Sequence, residues 1–98
     1  NRLGGRGLYL FDEPEAALSA QRQLSMLCEM DDLVKRGSQL ILATHSPILL
    51  AYPGAAIYAF SEDGARRVPY AETDAYKVTK SFLDDPARIL KHLGIADV

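Results

Sequence analysis

With one cysteine, Cys28, among its 98 residues, the chain has no partner for an internal disulfide. This fits a reducing compartment and excludes the disulfide-stapled class of small secreted domains. Tryptophan is absent, and no window approaches the ~18 apolar residues of a membrane span. Neither a secretory leader nor a lipidation motif is visible. An excess of one charge is also lacking, since 11 basic against 13 acidic side chains leave a formal net charge of −2. That gives no electrostatic footprint for nucleic acid, and the Arg66-Arg67 pair is too small to supply one. The expectation is a cytoplasmic globular protein with no membrane segment and no direct nucleic-acid signal. The length and a 48% hydrophobic share suit one α/β unit, so residues 1–98 are read as a single portion of such a domain.

Against these absences stands the run Leu8-Tyr9-Leu10-Phe11, which stops at Asp12-Glu13-Pro14. Four consecutive apolar residues ending at two adjacent carboxylates suit a strand buried on both faces, whose end emerges at the carboxyl edge of a parallel sheet. Ligands bind at that edge in open α/β folds. Two acids there can divide labour, because Mg²⁺ takes a hard oxygen ligand while an attacking water needs a base. Asp12 suits the metal and Glu13 the water.

The three glycines and two arginines of Asn1 to Gly7 read as a flexible lead-in. From Ser19 to about Arg36 the spacing is helical, with Ala20, Leu24, Leu27, Met30 and Val34 on one stripe and Met26 and Leu33 on its flank. Gly37 ends that helix. Gln39 to Thr44 contains Leu40-Ile41-Leu42-Ala43, a second short strand of the buried kind. A strand, a helix and a strand joined this tightly are parallel, so both strands finish at one edge. His45 therefore comes near Asp12 and Glu13 although more than thirty positions separate them.

Beyond His45, Ser46 and Pro47 suit an N-cap and first position of a short helix through Ile48-Leu49-Leu50, closed by Pro53-Gly54. Ala55 to Phe60 reads as a third strand. The turn Ser61-Glu62-Asp63-Gly64 leads to a polar strand around Ala65 to Tyr70, an antiparallel hairpin at a sheet margin. Thr73 to Leu83 is loosely helical, and Asp85-Pro86 opens a last helix that ends before Gly94.

The two carboxylates and the histidine give the chain a family likeness. Leu8 to Ser19 (LYLFDEPEAALS) and Ala43-Thr44-His45-Ser46-Pro47 resemble the C-terminal part of an ABC-type ATPase. They are most similar to the soluble predicted ATPases of the AAA_21-like group, relatives of the chromosome-maintenance and recombination ATPases. The two motifs match Walker B with the D-loop, and the switch histidine, in the expected order and with the expected helix between them. The likeness continues through Ile48 to Ala55 into the hairpin. The fold it implies is α/β, a partial P-loop NTPase fold with parallel strands, a crossover helix, and a C-terminal hairpin plus helices.

The resemblance also implies roles. Asp12 matches the acid that holds Mg²⁺ through a water, Glu13 the general base, and His45 the switch residue that contacts the γ-phosphate of ATP. Ala17, Leu18 and Ser19 match the segment that faces a second copy in a head-to-tail dimer. Two departures stand out. Ser19 occupies the place of the usual D-loop aspartate, and no Gly-x-x-x-x-Gly-Lys-Ser/Thr occurs, Gly4-Gly5-Arg6-Gly7 having neither the spacing nor the lysine. The P-loop and signature portions are expected before Asn1. The chain alone is expected not to bind ATP usefully, since the P-loop supplies most phosphate contacts. The complete protein would be a Mg²⁺-dependent ATP hydrolase.

Other readings are weighed beside this one. A degenerate ATPase core kept as an interaction scaffold is the alternative from a different class, and a transporter nucleotide-binding cassette is a third. An ATPase fused to a nuclease, as in overcoming-lysogenization-defect proteins, ranks low because little chain follows Leu83. A Ser46-His45-Asp12 hydrolase triad fails for want of a nucleophile elbow and because adjacent residues rarely aim at one another. Cys28 reads as a small packing residue on a helix flank, and Lys91 and His92 as companions of a helix C-terminus. Glu15 either reaches a partner subunit or caps the helix, and the sequence does not separate these.

Overall fold

Leu8–Asp12 form strand β1, Ala20–Lys35 helix α1 and Gln39–Ala43 strand β2, in a computed structural model that describes residues 7–95. Apart from Gly7, the lead-in expected over Asn1 to Gly7 lies outside the described residues. Two compact units divide the chain at Ala55 and Ala56.

In the first unit β1 and β2 pair in parallel, with Leu8 opposite Gln39, Leu10 opposite Ile41 and Asp12 opposite Ala43. Their carboxyl ends therefore share one edge, as the tight crossover requires. The expectation of burial on both faces is corrected. Tyr9, Phe11, Leu40 and Leu42 make a half-buried face, and α1 packs against β2. On the opposite face Leu8, Leu10 and Ile41 are 53%, 69% and 52% exposed. Side chains alternate across a strand, so one helix layer covers only one of the two apolar faces.

Helix α1 starts on Ser19, whose hydroxyl accepts from the amide of Arg22 at 3.1 Å. It stops at Gly37, whose φ of 92° suits a residue without Cβ. The amides of Gly37 and Ser38 donate back to the carbonyls of Val34 and Leu33, the paired bonds of a Schellman end. The packed face differs from the expected stripe. Met30 is buried and Gln23, Met26, Leu27, Asp31 and Leu33 are half-buried, whereas Ala20, Leu24 and Val34 are exposed. Both stripes keep helical spacing and share Leu27 and Met30, so periodicity alone does not choose between them. Cys28, expected as a packing residue, is exposed.

After β2, a 3-10 turn over Leu49–Ala51 contacts α1, and Leu49 is buried. The Tyr52 hydroxyl donates to Asp31 at 2.7 Å, and Lys35 pairs with the same carboxylate at 2.8 Å. These partners, Lys35 first, hold the Asp31 carboxyl below its ordinary range.

The second unit opens with β3, Tyr58–Ser61, and β4, Gly64–Arg67, an antiparallel hairpin turning at Glu62-Asp63. The third strand begins later than expected, because Ala55 still belongs to the turn after Pro53-Gly54, donating to Tyr52. Among the described residues the hairpin is a sheet of its own, which corrects the expected place at a larger sheet's margin. Thr73 caps α2, Asp74–Asp84, by accepting from Tyr76, and Asp85 caps α3, Pro86–His92, by accepting from Arg88. Tyr70 and Tyr76 stack edge to face with ring centres 5.0 Å apart. No described helix is long and apolar enough to cross a membrane.

Candidate functional site

The shared edge of β1 and β2 gathers most of the predicted site residues. The ladder runs one bond past the strand, where the Glu13 amide donates to the Ala43 carbonyl at 2.7 Å. That bond holds Glu13 at φ 48° and ψ 53°, a left-handed conformation found at no other non-glycine residue among those described. Left-handed backbone is costly for a residue with a Cβ, by about 1–2 kcal/mol. Pro14 follows and opens a 3-10 helix over Pro14–Ala17, with the Ala16 amide donating to the Glu13 carbonyl at 3.0 Å. The side chains of Asp12 and Glu13 are exposed, and Glu13 does not cap the turn it begins.

The first turn of that 3-10 helix aims Glu15 at the end of β2. Its carboxylate accepts from the Thr44 hydroxyl at 2.6 Å and from the His45 amide at 2.9 Å. Burial pushes the Glu15 carboxyl up, but these hydrogen bonds outweigh it and the group is held below its ordinary range. Thr44 also accepts from the Ser46 amide at 3.0 Å, which pulls the backbone after β2 into a tight turn. His45 lies in that turn, tied by its main chain and exposed through its side chain.

Ser46 is buried, 4% exposed, and caps the next turn by accepting from the amides of Ile48 and Leu49 at 3.1 and 3.0 Å. Its hydroxyl donates to Gln23 Oε1. This arrangement removes the triad alternative, because the Ser46 proton is directed at Gln23 and not at His45. Gln23 Nε2 in turn donates to the Leu18 carbonyl at 3.3 Å. Of the three residues expected to face a second copy, Ala17 and Ser19 are exposed and Leu18 is half-buried. Ser19 has a local role as well, as the cap of α1.

The structure thus brings Glu13, Glu15, Thr44, His45 and Ser46 to one edge beside Asp12. The Glu15 carboxylate caps no helix and instead ties the turn after β1 to the turn after β2. The signal was present in the register. With Asp12 opposite Ala43, a residue three past one strand meets residues one and two past the other. Gln23 was missed because its partners lie outside its own helix. His92 is exposed in the last turn of α3, as expected of a helix-end residue.

For a divalent metal the edge offers Asp12 as one exposed carboxylate, and no group of three or more His, Cys, Asp or Glu side chains able to hold an ion occurs among the described residues. Asp12 with Glu13 beside it fits Mg²⁺ that brings its own waters and phosphate oxygens, but not a cation caged by protein alone. Compared with protein-family models, curated proteins and solved structures, the chain matches none.

Proposed function

We propose that this chain is the Walker B to switch-histidine part of a soluble ABC-type ATPase. In the complete protein Asp12 would hold Mg²⁺, Glu13 would take the proton of the attacking water, and His45 would contact the γ-phosphate of ATP. Ala17, Leu18 and Ser19 would face a second copy in a head-to-tail dimer. The observation that carries this reading is the backbone of Glu13. An acid kept left-handed at the carboxyl edge of a parallel sheet, with its carboxylate outside the local capping bonds, is the kind of backbone outlier that clusters at functional sites.

Positioning is the main task of a protein in phosphoryl transfer, where little covalent chemistry falls to its side chains. The groups here suit that task. Glu13 is fixed through its amide to Ala43, and His45 through its amide to Glu15, so both backbones are set before any substrate arrives. Bound Mg²⁺ would neutralise charge on the phosphate oxygens. The 98 residues contain no Gly-x-x-x-x-Gly-Lys-Ser/Thr, so affinity for ATP is assigned to a P-loop portion outside this sequence, and the chain alone is expected to be inactive. The open apolar sheet face with Leu8, Leu10 and Ile41 agrees with a sheet that takes a further layer.

The test is Mg²⁺-dependent phosphate release from ATP by the product of the longest reading frame that contains this chain, with Glu13→Gln as control. Turnover abolished by that substitution, with ATP still bound, supports the reading. Absent turnover together with absent ATP binding overturns it in favour of an interaction scaffold that keeps an ATPase-like core.

A further inference from the structure

The turn that carries His45 belongs to a closed hydrogen-bond circuit that the chemistry above does not use. The Glu15 carboxylate accepts from Thr44 and from the His45 amide, and Thr44 accepts from the Ser46 amide. The buried Ser46 hydroxyl accepts from Ile48 and Leu49 and donates to Gln23 Oε1. Gln23 Nε2 donates to the Leu18 carbonyl, and the Leu18 amide returns to the Glu15 carbonyl at 3.0 Å. Both ends of one amide side chain are therefore in use, each on a different segment.

The geometry points to Gln23 as a positioning residue for the His45 turn. A half-buried amide in the second turn of α1 fixes that turn to a regular helix, and the same group grips the carbonyl just before Ser19. Displacing the turn moves Ser46, which moves the Gln23 amide and so the Leu18 carbonyl. Ala17-Leu18-Ser19 and His45 behave as one mechanical body. Hydrogen bonds linked head to tail also polarise one another, and two such runs meet in this turn, Ser46 amide to Thr44 to Glu15 and Ile48 amide to Ser46 to Gln23 to Leu18. The joint grip of Gln23 and Glu15 is independent of what binds at the edge. Its use, carrying the state of the γ-phosphate contact to the segment facing a second copy, rests on the ATPase reading above.

The grip is tested by amide hydrogen exchange on the full chain. Gln23→Leu removes both bonds of residue 23 and leaves the Ser46 hydroxyl without its acceptor. Exchange is expected to rise roughly tenfold at Ile48 and Leu49, the loss of about one hydrogen bond. It should rise also at His45, whose amide Gln23 does not touch. Coupling is reciprocal. Glu15→Gln should therefore raise exchange at Ile48 and Leu49, which Glu15 does not touch. Changes confined to the direct neighbours of each substituted side chain overturn the proposal. The amide of Ile41, which points into the ladder between Gln39 and Ala43, reports global unfolding, and should one variant unfold, the other decides. In the complete protein Gln23→Leu should lower kcat and spare KM. Wild-type turnover with an unchanged kcat in the variant overturns the positioning role. Absent wild-type turnover sinks the ATPase reading and leaves the exchange result standing.

Discussion

The carboxylate of Glu15 accepts a 2.6 Å hydrogen bond from the hydroxyl of Thr44, across 29 positions of chain. With the adjoining bond to the His45 amide it ties the turn after β1 to the turn after β2. The parallel pairing brings these segments together, and Glu15 fixes how they meet.

That contact makes stability depend on pH. A carboxylate whose folded pKa lies below its unfolded value stabilises the fold above the unfolded value and loses that contribution as pH falls through the folded one. For Glu15 the loss begins in the ordinary glutamate range and continues below it, as pH falls through the lowered folded value. Glu15→Gln should lower stability by about 1–3 kcal/mol at neutral pH, because Thr44 and His45 donate to different carboxylate oxygens and the amide nitrogen that replaces one of them faces a donor. It should also flatten the acid limb of the stability curve. Urea unfolding at pH 7 and near pH 4 measures both effects, and an unchanged acid limb in the variant rejects the assignment.

Glu13 separates stability from activity. Replacing it by glycine removes the Cβ that makes φ 48° costly and should stabilise the fold by up to about 1 kcal/mol. Glu13→Val should destabilise it, since a β-branched residue tolerates that conformation least. Thermal unfolding of the two variants tests the order, and a glycine variant less stable than wild type contradicts it.

Tyr9 carries a buried hydroxyl with no hydrogen-bond partner among the described residues. Removing an unsatisfied polar atom from such a place relieves a desolvation penalty, so Tyr9→Phe should be neutral or stabilising by about 1 kcal/mol. A clear loss of stability on that substitution would show that the phenol does have a partner.

Ser19 is the test of local against intermolecular roles. Ser19→Ala should cost about 1 kcal/mol by removing the cap of α1, while Ser19→Asp should keep it, because aspartate caps equally well. Helix content and melting temperature report this part. Equal stability of all three forms would mean that the capping bond contributes nothing.

Leu10 and Ile41 lie opposite one another on the open sheet face. An apolar patch of this kind promotes self-association. The chain should therefore sediment as a concentration-dependent oligomer, shifted toward monomer by Leu10→Thr with Ile41→Thr, which keeps strand preference. A wild-type chain that stays monomeric at high concentration sinks this expectation.

The β-α-β order, the Ser19, Thr73 and Asp85 caps and the stop at Gly37 were determined by the sequence itself. Each acts within a few residues: a hydroxyl or carboxylate reaches an amide three positions on, and a glycine frees its own φ. The common edge of Asp12, Glu13 and His45 also followed, because a short crossover leaves two strands no other sense. Only the tertiary structure decided which face of α1 packs, since the stripes through Leu24 and through Met26 are equally helical. It also decided that one face of β1 stays open, that Glu13 is left-handed, and that Glu15 and Gln23 grip the His45 turn. Those outcomes depend on partners such as Ala43, Thr44 and Ser46, 23 to 30 positions away, and no local pattern encodes a partner that only the fold brings near.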